Sequence, residues 1–388
     1  MPDRAIRTAV VTGCGVVSPL GVGVRAFWDG LVAGRSAIAP IERFPVADLD
    51  PRSAAEVREL DIAEDRATAF ARRAADEALA DAGLAPGAID PCRLGVCLGT
   101  TLGGMELFER WIANGAVAAP DRIPYYAPAV ALARGLGSRG PVATPQLACA
   151  SSTQAIALAA DWVRLGRADV VVAGGTDLLC RFVVSGFNSL RATAEIARPF
   201  DAARRGLVLG EGAAVVVVED ARHAERRGAA VRARIAGVGC AADAVHMTAP
   251  DREGGGAIRA IDAALADAGI PPRAVGFVSA HGTGTPYNDA MEAVALARTF
   301  GRRRVAVNSI KGAIGHTLGA AGAFEAVMCV QVLAAGVIPP TAGLETVDPA
   351  CADLDLVRGA ARPHDVDAVL STSSGFAGTN AALVLARA

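Results

Sequence analysis

The segment that decides the fold is RVAVNSIKGAIGHTLGAAGAFEAVMCVQVLAA, residues 304–335. Its first part, residues 304–310, is short, apolar and rich in β-branched side chains, which is typical of a buried strand. A turn containing glycine follows, and residues 318–335 then carry the alanine-rich apolar pattern of a buried helix. A strand, a turn and a helix in succession form the unit from which α/β folds are built.

The same alternation extends over the rest of the chain. Further buried strands are predicted at residues 93–100, 142–148, 169–175, 213–220 and 275–281. Amphipathic helices are predicted between them at residues 66–82, 151–166 and 257–268. The sequence therefore predicts a layered α/β fold, with no flexible linker or low-complexity tail.

An internal repeat indicates that this fold is duplicated. The hexapeptide ALADAG occurs at residues 78–83 and again at 264–269, and each copy precedes a proline-containing turn and a predicted strand. Chance is the competing explanation in a chain so rich in alanine. We expect two similar α/β halves, residues 1–222 and 223–388, with a site where they meet.

Composition limits the possible functions. The chain has 388 residues, 52% of them hydrophobic, which is enough for a large core. Its net charge of −2 gives no bulk electrostatic reason to expect a nucleic acid or membrane partner. No continuous apolar run reaches the length of a membrane span, and the N-terminal residues lack the pattern of a cleavable signal. We therefore expect a cytoplasmic protein.

The eight cysteines do not form a metal-binding or disulfide pattern. They lie at positions 14, 92, 97, 149, 180, 240, 329 and 351, without a C-x-x-C pair or a cysteine–histidine cluster at metal-ligand spacing. We expect reduced, mostly buried thiols and no metal site. A glycine-rich segment at residues 12–21 lacks the third glycine of a dinucleotide fingerprint, and Pro19 interrupts the expected helix, so no nucleotide cofactor is predicted.

Cys149 differs from the other cysteines in its position. It lies between the predicted strand 142–148 and the predicted helix 151–166. The positive end of a helix dipole and unpaired backbone N–H groups would favour a thiolate there and lower its pKa, and the same N–H groups could hold an oxyanion. Cys149 is therefore a candidate nucleophile, with a buried core thiol as the alternative.

Two of the five histidines follow predicted strands, where α/β sheets place ligands. His281 ends one strand and opens the polar loop HGTGTPYND, and His316 precedes the helix 318–335. His223 and His364 are expected at the surface, and His246 has no such placement. Five residues before His316 stands Lys311, the only lysine in a chain whose other 37 basic residues are arginine.

At this point the residues resemble a known family. The chain is similar, nearly from end to end, to the elongating class of β-ketoacyl-[acyl carrier protein] synthases, which have the thiolase-like fold. The segments that carry the resemblance are VVTGCGVVSPLG, ACASS around Cys149, RPFDAARRGLVLGEGAA, HGTGTPYND, NSIKGAIGHTLGAAG and GFAGTNAALVL. It implies two duplicated halves in a layered α-β-α-β-α core and no cofactor.

The resemblance implies a role for each candidate residue. Cys149 would take an acyl chain from a carrier-protein thioester, with an oxyanion hole formed by the backbone N–H groups of Cys149 and Phe376. Neutral His281 and His316 would each donate a hydrogen bond to the malonyl thioester oxygen as CO2 leaves. The resulting carbanion would attack the acyl group on Cys149 and extend the chain by two carbons.

Supporting residues are implied in the same way. Lys311 matches a lysine of the family's site, where a compact ammonium suits burial better than a guanidinium, and Glu325 would orient it. The alternative is that one lysine merely survived an arginine-biased composition. Thr283 and Thr285 would contact the pantetheine arm, Phe376 would gate the acyl pocket and Phe108 would form its floor. Three further residues, Asp289, Glu292 and Asn380, are expected in a buried polar scaffold.

Departures from the family pattern favour a specialised pathway over housekeeping fatty-acid synthesis. Ser374 stands where the family often has phenylalanine, and Ala377 replaces a glycine of GFGGTN. Glu106 is unusual so near an apolar pocket. We therefore consider both fatty-acid synthesis and the synthesis of a polyene or polyketide-type chain.

The resemblance also implies partners. An acidic acyl carrier protein requires a local arginine patch, for which the candidates are Arg66, Arg72, Arg73, Arg191, Arg204 and Arg205. The family forms dimers, so a homodimer is expected, and a heterodimer with a related subunit is possible. Other function classes are a degradative thiolase, which needs a second cysteine near the C-terminus, a non-catalytic chain-length subunit, which lacks the active cysteine, and a cysteine hydrolase.

Overall fold

The computed structural model describes residues 7–60, 62, 65–85, 87–115 and 119–388. The N-terminal residues 1–6, which contributed to the expectation of no signal peptide, lie outside this part of the chain. The described residues contain 11 α-helices and 17 strands. The fold is α/β, as predicted from the alternating pattern.

The helices differ widely in length and burial. They are α1 (Val24–Val32), α2 (Arg66–Asp81), α3 (Met105–Asn114), α4 (Ala127–Gly135), α5 (Ser151–Arg164), α6 (Arg181–Ser189), α7 (Ala221–Arg226), α8 (Gly255–Ala268), α9 (Pro286–Phe300), α10 (Lys311–Ile314) and α11 (Ala321–Ala335).

The longer strands belong to one large sheet. The strands are β1 (Ala9–Ser18), β2 (Gly21–Val22), β3 (Ile38–Pro40), β4 (Ser53–Ala55), β5 (Leu94–Gly99), β6 (Val142–Ala143), β7 (Val170–Asp177), β8 (Leu209–Gly210), β9 (Gly212–Asp220), β10 (Ala233–Ala242), β11 (Phe277–Ser279), β12 (Ala306–Asn308), β13 (Val337–Ile338), β14 (Asp355–Leu356), β15 (Arg362–Pro363), β16 (Ala368–Gly375) and β17 (Thr379–Ala386).

The large sheet has a mirrored strand order. Its order is β14-β12-β11-β16-β17-β10-β1-β9-β7-β5-β6, with β2 paired to β1. From the central β1–β10 pair outward, each side runs through two antiparallel pairings and then two parallel pairings, and the second side adds a third parallel pairing, β12 with β14. Each half of the sequence thus contributes the same five-strand arrangement, and we propose that the chain divides into the halves 1–222 and 223–388.

The repeated hexapeptide packs in the same way on each side. A Cβ atom at Gly13 of β1 would lie 2.1 Å from the carbonyl oxygen of Ala78 on α2, and one at Gly237 of β10 would lie 2.1 Å from that of Ala264 on α8. Such distances exclude any side chain at these two glycines. The alanines of the repeat and the facing glycines therefore allow each helix to approach its strand closely.

The helix α11 forms the centre of the core and packs against α5 and against β16. Residues 318–335 meet the length and hydropathy of a membrane span, although 83% of that window is buried inside the protein. The segment predicted as one helix starts with a 3-10 turn, Leu318–Ala320, before α11 begins. Its apolar composition is accounted for by burial on all sides.

The strand predicted at residues 142–148 is the main error in the fold. Only Val142 and Ala143 pair with β5, and the prediction beyond Ala143 is wrong. Pro145 has no backbone N–H and cannot continue a sheet ladder there. The chain instead turns towards Cys149.

Candidate active site

A cleft of about 400 Å³ is lined by residues from both proposed halves. Cys149 of the first half lines it, together with His281, His316 and Thr283 of the second half. Both histidines follow strands of the large sheet, His281 after β11 and His316 after β12 and α10. The fold thus brings together residues that are up to 167 positions apart in the sequence.

A tight turn presents Cys149 to the cleft. The preceding residue, Ala148, has φ 47°, in the left-handed region that non-glycine residues rarely adopt. The hydroxyl of Ser151, the first residue of α5, donates to the Ala148 carbonyl at 2.6 Å and accepts from Leu147 N at 2.9 Å. These bonds hold the turn, and the thiol faces the cleft although Cys149 is only 9% exposed.

His316 is oriented so that it donates towards the cysteine. Its Nε2 lies 3.0 Å from Sγ of Cys149, and its Nδ1 accepts a hydrogen bond from Leu318 N at 3.2 Å. Because Nδ1 is an acceptor, the proton of the neutral ring must lie on Nε2. The imidazole therefore presents an N–H to the sulfur.

His281 is oriented by Lys311 in an analogous way. The Lys311 ammonium lies 3.3 Å from Nδ1 of His281, so this nitrogen accepts and the ring proton lies on Nε2. The rings of His281 and His316 meet edge to face with centroids 5.3 Å apart. Two N–H donors thus converge on one side of Cys149.

Lys311 uses its whole donor capacity. It is only 2% exposed, and its Nζ donates to Glu325 Oε1 at 2.6 Å and to the backbone carbonyl of His281, besides contacting the His281 ring. An ammonium has three N–H groups, and three partners surround it. A guanidinium is larger and planar and could not occupy the same point, which accounts physically for lysine at this position.

Burial controls protonation in the cleft. It lowers the pKa of both His281 and His316 well below 6.5, and the charge of Lys311 lowers them further, so both imidazoles are neutral near pH 7. Burial also raises the pKa of the Cys149 thiol to about 12, against the opposing effect of Lys311. The expected lowering by the helix dipole is therefore wrong, because desolvation of the thiolate outweighs it.

Buried carboxylates hold the loops that carry these residues. Glu292 accepts from the backbone N–H groups of His281 and Gly282, each at 2.7 Å. Asp289 accepts from Thr283 N at 3.0 Å and Gly284 N at 3.1 Å. These contacts agree with the scaffold role expected for Asp289 and Glu292. Glu325, whose pKa burial raises to about 7, serves the lysine instead.

Asp177 is a site residue that the sequence analysis missed. It is fully buried at the end of β7 and accepts hydrogen bonds from residues 100–102, which contact the Cys149 turn, and from Gly319, next to the residue that contacts His316. An aspartate at the end of an apolar strand gives no local signal of this role, because its partners lie 75 and 142 positions away.

The segment that carries Phe376 closes one side of the cleft. The Phe376 ring stacks on Phe187 with centroids 5.8 Å apart. Ala377 has φ 65°, so the alanine stands where a glycine would be unstrained. The hydroxyl of Ser374 donates to Asn380 Oδ1 at 2.8 Å, and the Asn380 amide donates to Asp243 at 2.7 Å. Asn380 is buried, as expected.

Two threonines line the cleft and one predicted residue does not. The hydroxyls of Thr283 and Thr285 lie 2.9 Å apart at the cleft wall. Phe108 lies on α3, outside the cleft-lining residues, with its ring 5.6 Å from that of Trp111. Its role as a pocket floor remains a prediction. Glu106 is buried and paired with Arg43 at 3.0 Å and Arg110 at 3.2 Å.

The six arginines proposed for a carrier-protein patch fall into three groups. Arg191 and Arg205 are exposed at the cleft. Arg72 and Arg73 are exposed on α2, away from the cleft lining. Two predictions are wrong because a carboxylate from a distant part of the chain buries the guanidinium: Arg66 is 1% exposed and pairs with Glu211, and Arg204 pairs with Asp348.

The remaining histidines lie away from the reacting groups. His364 is exposed, as expected, and His246 is an exposed loop residue whose Nδ1 accepts from Thr248 N. His223 is half-buried, contrary to the expected surface position, because its Nδ1 lies 2.6 Å from Glu219.

The spacing of Cys149, His281 and His316 in the sequence does not match a metal-binding pattern, yet the fold brings their side chains together. The ligand atoms of Cys149, His281 and His316 lie within 4.8 Å of one another, close enough for a metal ion. The ammonium of Lys311 contacts the His281 ring, and its positive charge opposes the binding of a cation there. The arrangement suits a buried nucleophile facing two neutral hydrogen-bond donors.

Known proteins share both the sequence and the fold. The model of the β-ketoacyl synthase N-terminal domain matches residues 7–224, and that of its C-terminal domain matches residues 232–345. The 3-oxoacyl-[acyl-carrier-protein] synthase 2 of Coxiella burnetii is 40% identical over 98% of this chain and 99% of its own. The tetracenomycin polyketide synthase ketoacyl synthase alpha subunit of Streptomyces glaucescens is 40% identical over 100% of this chain and 99% of its own.

Two solved structures superpose on nearly the whole chain. The ishigamide ketosynthase/chain length factor matches with a TM-score of 0.93 and 36% identity, covering 99% of this chain and 100% of its own. The type II polyketide synthase acyl-carrier protein in complex with its ketosynthase bound to the hexaketide, AntDE:AntF, matches with a TM-score of 0.91 and 32% identity, covering 99% and 100%. This chain belongs to the β-ketoacyl synthase family.

Proposed function

We propose that the protein is a 3-oxoacyl-[acyl carrier protein] synthase, an acyltransferase that joins an acyl group to malonyl-acyl carrier protein with loss of CO2. The observation that carries this proposal is the cluster of one buried thiol and two neutral imidazoles, each with its donor N–H oriented by a contact to the opposite ring nitrogen. A cysteine hydrolase would need a histidine that accepts the thiol proton, whereas Nε2 of His316 already carries one.

In the first step the acyl group moves from the carrier thioester to Cys149. The Cys149 sulfur attacks the acyl carbonyl, the bond to the carrier sulfur breaks, and the thiol proton leaves with the carrier thiol. The N–H of His316, 3.0 Å from Sγ, stabilises negative charge on the sulfur as it reacts. The exchange creates no net charge, which suits a site where burial raises the pKa of the thiol to about 12.

In the second step malonyl-carrier protein loses CO2. The N–H groups of His281 and His316 donate to the thioester oxygen, which becomes an enolate oxygen as the carboxylate carbon departs. Neutral imidazoles suit this step, since each supplies a donor without a charge that would need desolvation. Lys311, held by Glu325, keeps His281 in the donating tautomer.

In the third step the carbanion attacks the acyl carbon on Cys149. A carbon–carbon bond forms, the bond to Sγ breaks to leave a thiolate that takes up a proton from water, and the product leaves on the carrier protein two carbons longer. The backbone N–H groups of Cys149 and Phe376 are the proposed oxyanion donors for this step and the first, and both residues border the cleft. Thr283 and Thr285 are the proposed contacts of the pantetheine arm.

The substrate is carried by an acyl carrier protein, and Arg191 and Arg205 at the cleft mouth are the proposed contacts for its acidic surface. The related proteins and structures support a role for this protein in fatty-acid or polyketide-type synthesis. It would act as a homodimer or as a heterodimer with a related subunit. The departures at Ser374 and Ala377 favour the specialised pathway. The eight free cysteines are in keeping with the reducing cytoplasm.

The other function classes have less support. A degradative thiolase needs a second reactive cysteine, but Cys351 is fully buried with its Sγ 3.7 Å from the carbonyl oxygen of Asp289. A non-catalytic chain-length subunit would lack the cysteine that this chain retains.

Intact-mass analysis tests the proposal. The protein is incubated with a panel of acyl-carrier thioesters and then with malonyl-carrier protein. We expect an acyl adduct on Cys149 that disappears as a product two carbons longer is released, and no adduct on Cys149→Ala. Acyl uptake by Cys149→Ala would contradict the assignment of the nucleophile.

Carrier docking is tested separately. Arg191→Glu/Arg205→Glu should raise KM for acyl-carrier protein, while the matched exposed pair Arg72→Glu/Arg73→Glu should leave it within about twofold. Equal effects of the two pairs would overturn the proposed docking site.

A further inference from the structure

One fully buried carboxylate joins the loops on both sides of the reacting sulfur. Asp177 Oδ1 accepts from the Thr100 hydroxyl at 2.7 Å and from Leu102 N at 2.9 Å, and its Oδ2 accepts from Thr101 N at 2.8 Å and from Gly319 N at 2.7 Å. Three of these donors belong to the first half of the chain and one to the second. The carboxylate is therefore saturated with partners although it is 0% exposed.

The loop held on the first side supports the Cys149 turn. The hydroxyl of Thr101 donates to the carbonyl of Ala148 at 3.4 Å. Directly before this loop, Gly99 packs so closely on the start of α5 that a Cβ atom would lie 2.3 Å from the carbonyl carbon of Ser151. A shift of residues 100–102 would therefore displace the turn that carries the nucleophile.

The loop held on the second side sets the tautomer of His316. Gly319 N donates to Asp177, and Leu318 N donates to His316 Nδ1 at 3.2 Å. Leu318 has φ 53°, a conformation that a branched side chain adopts only when its surroundings enforce it. The bond from Gly319 to Asp177 is one of the contacts that enforce it.

We infer that Asp177 is a positioning residue. It holds the His316 ring with its proton on Nε2 and at the same time holds the Cys149 turn. The hydrogen-bond donor and the nucleophile therefore keep a fixed distance and orientation to each other. This inference rests on the proposed synthase function. A neutral amide at this position could not accept from all four donors, because its NH2 group would face a backbone N–H. Leu318 would then relax, and His316 Nδ1 would lose its donor.

The test compares Asp177→Asn with Asp201→Asn. Asp201 is a matched control, since it is 1% exposed and accepts from Ala203 N at 2.8 Å, Glu345 N at 2.8 Å and Thr346 N at 2.7 Å, away from the reacting groups. Rates of CO2 release and of product formation are divided by the number of Cys149 sites that take up acyl label. Nitrogen-15 NMR of labelled histidine reports the His316 tautomer, assigned with a His316→Gln spectrum.

We expect Asp177→Asn to lower the rate per labelled site by about 10- to 100-fold with KM for malonyl-carrier protein within about twofold, and to shift the His316 proton towards Nδ1. Asp177→Glu, which keeps the carboxylate, should recover part of the rate, and Asp201→Asn should lower only stability. An unchanged rate per site and an unchanged tautomer in Asp177→Asn would overturn the inference. A wild-type protein that neither takes up acyl groups nor releases CO2 would instead refute the proposed function.

Discussion

The two proposed halves of the molecule share a strand arrangement but carry different side chains at its edge. The turn between β6 and α5 carries Cys149, and the segment at the matching place in the second half, between β12 and α11, carries Lys311 at the start of α10 and His316 after it. Likewise the loop after β5 begins at Thr100, whereas the loop after β11 carries His281 as its second residue. In both halves a buried carboxylate accepts backbone N–H groups of that loop, Asp177 in the first and Glu292 in the second.

This difference shows that the two halves contribute different chemical groups to the cleft. In the proposed mechanism the first half supplies a covalent holding point for one substrate, and the second supplies uncharged donors and the lysine that orients one of them. The repeated glycine–helix contacts keep the packing of α2 on β1 and of α8 on β10 alike, while the side chains at the strand ends differ. The following variants challenge that division, starting with the largest expected effect.

Loss of His281 should separate the two half-reactions, whereas loss of His316 should affect both. We expect His281→Ala to lower condensation by about 10²- to 10³-fold while acyl uptake on Cys149 persists, because His281 contacts the lysine and not the thiol. His316→Ala should lower condensation similarly and also slow acyl uptake, since its Nε2 lies 3.0 Å from Sγ. Product formation and intact mass are measured on the same samples, and full condensation by either variant would break the comparison.

Removal of Lys311 should separate stability from activity. We expect Lys311→Met to lower the free energy of unfolding by about 3 kcal/mol, because Glu325 is left buried without its partner. The double variant Lys311→Met/Glu325→Leu should regain much of that stability in denaturant unfolding. It should not regain condensation, since His281 Nδ1 still lacks its donor. A double variant as active as the wild type would show that the lysine serves folding alone.

The pH dependence of thiol labelling tests the protonation state of the nucleophile. Because burial raises the pKa of Cys149 to about 12, its thiolate fraction should grow about tenfold per pH unit. We expect the rate of iodoacetamide labelling at Cys149, followed by peptide mapping to exclude the exposed Cys92 and Cys240, to rise from pH 7 to 9.5 without a plateau. A plateau below pH 8 would favour a pKa lowered by the start of α5.

The smallest effect is expected at Ala377, next to Phe376, the residue expected to gate the acyl pocket. Ala377 has φ 65°, and Ala377→Gly relieves this strain while adding freedom to the unfolded chain. We expect the free energy of unfolding to rise by less than about 1 kcal/mol, as measured from the denaturant midpoint. A loss of stability would mean that the alanine methyl group contributes packing that outweighs the strain.

Much of the fold and part of the candidate site could be predicted from local sequence patterns. Long buried strands such as β7 and β9, and the helices α2, α5 and α8, follow from hydrophobic periodicity, because burial on a fixed face leaves a repeating signal. Cys149, His281 and His316 were singled out by their positions after predicted strands and Lys311 as the only lysine. Their expected roles came from the family resemblance, and the fold brings all four together.

The rest depends on contacts between distant residues. Arg66 has the sequence context of an exposed basic residue on an amphipathic helix, yet Glu211, 145 positions away, pairs with it in the core. The role of Asp177 arises from two loops that only the assembled sheet brings together. The pKa of Cys149 was predicted in the wrong direction because the helix start is local and visible, whereas burial results from both halves.

The division of labour between the halves is tested most directly by CO2 release from malonyl-carrier protein in the Cys149→Ala variant. The account predicts that CO2 is still released while no acyl group is taken up and no extended chain forms, and that adding His281→Ala abolishes the release. If Cys149→Ala released no CO2 although it folds as the wild type does, decarboxylation would depend on the cysteine and the proposed division would be contradicted.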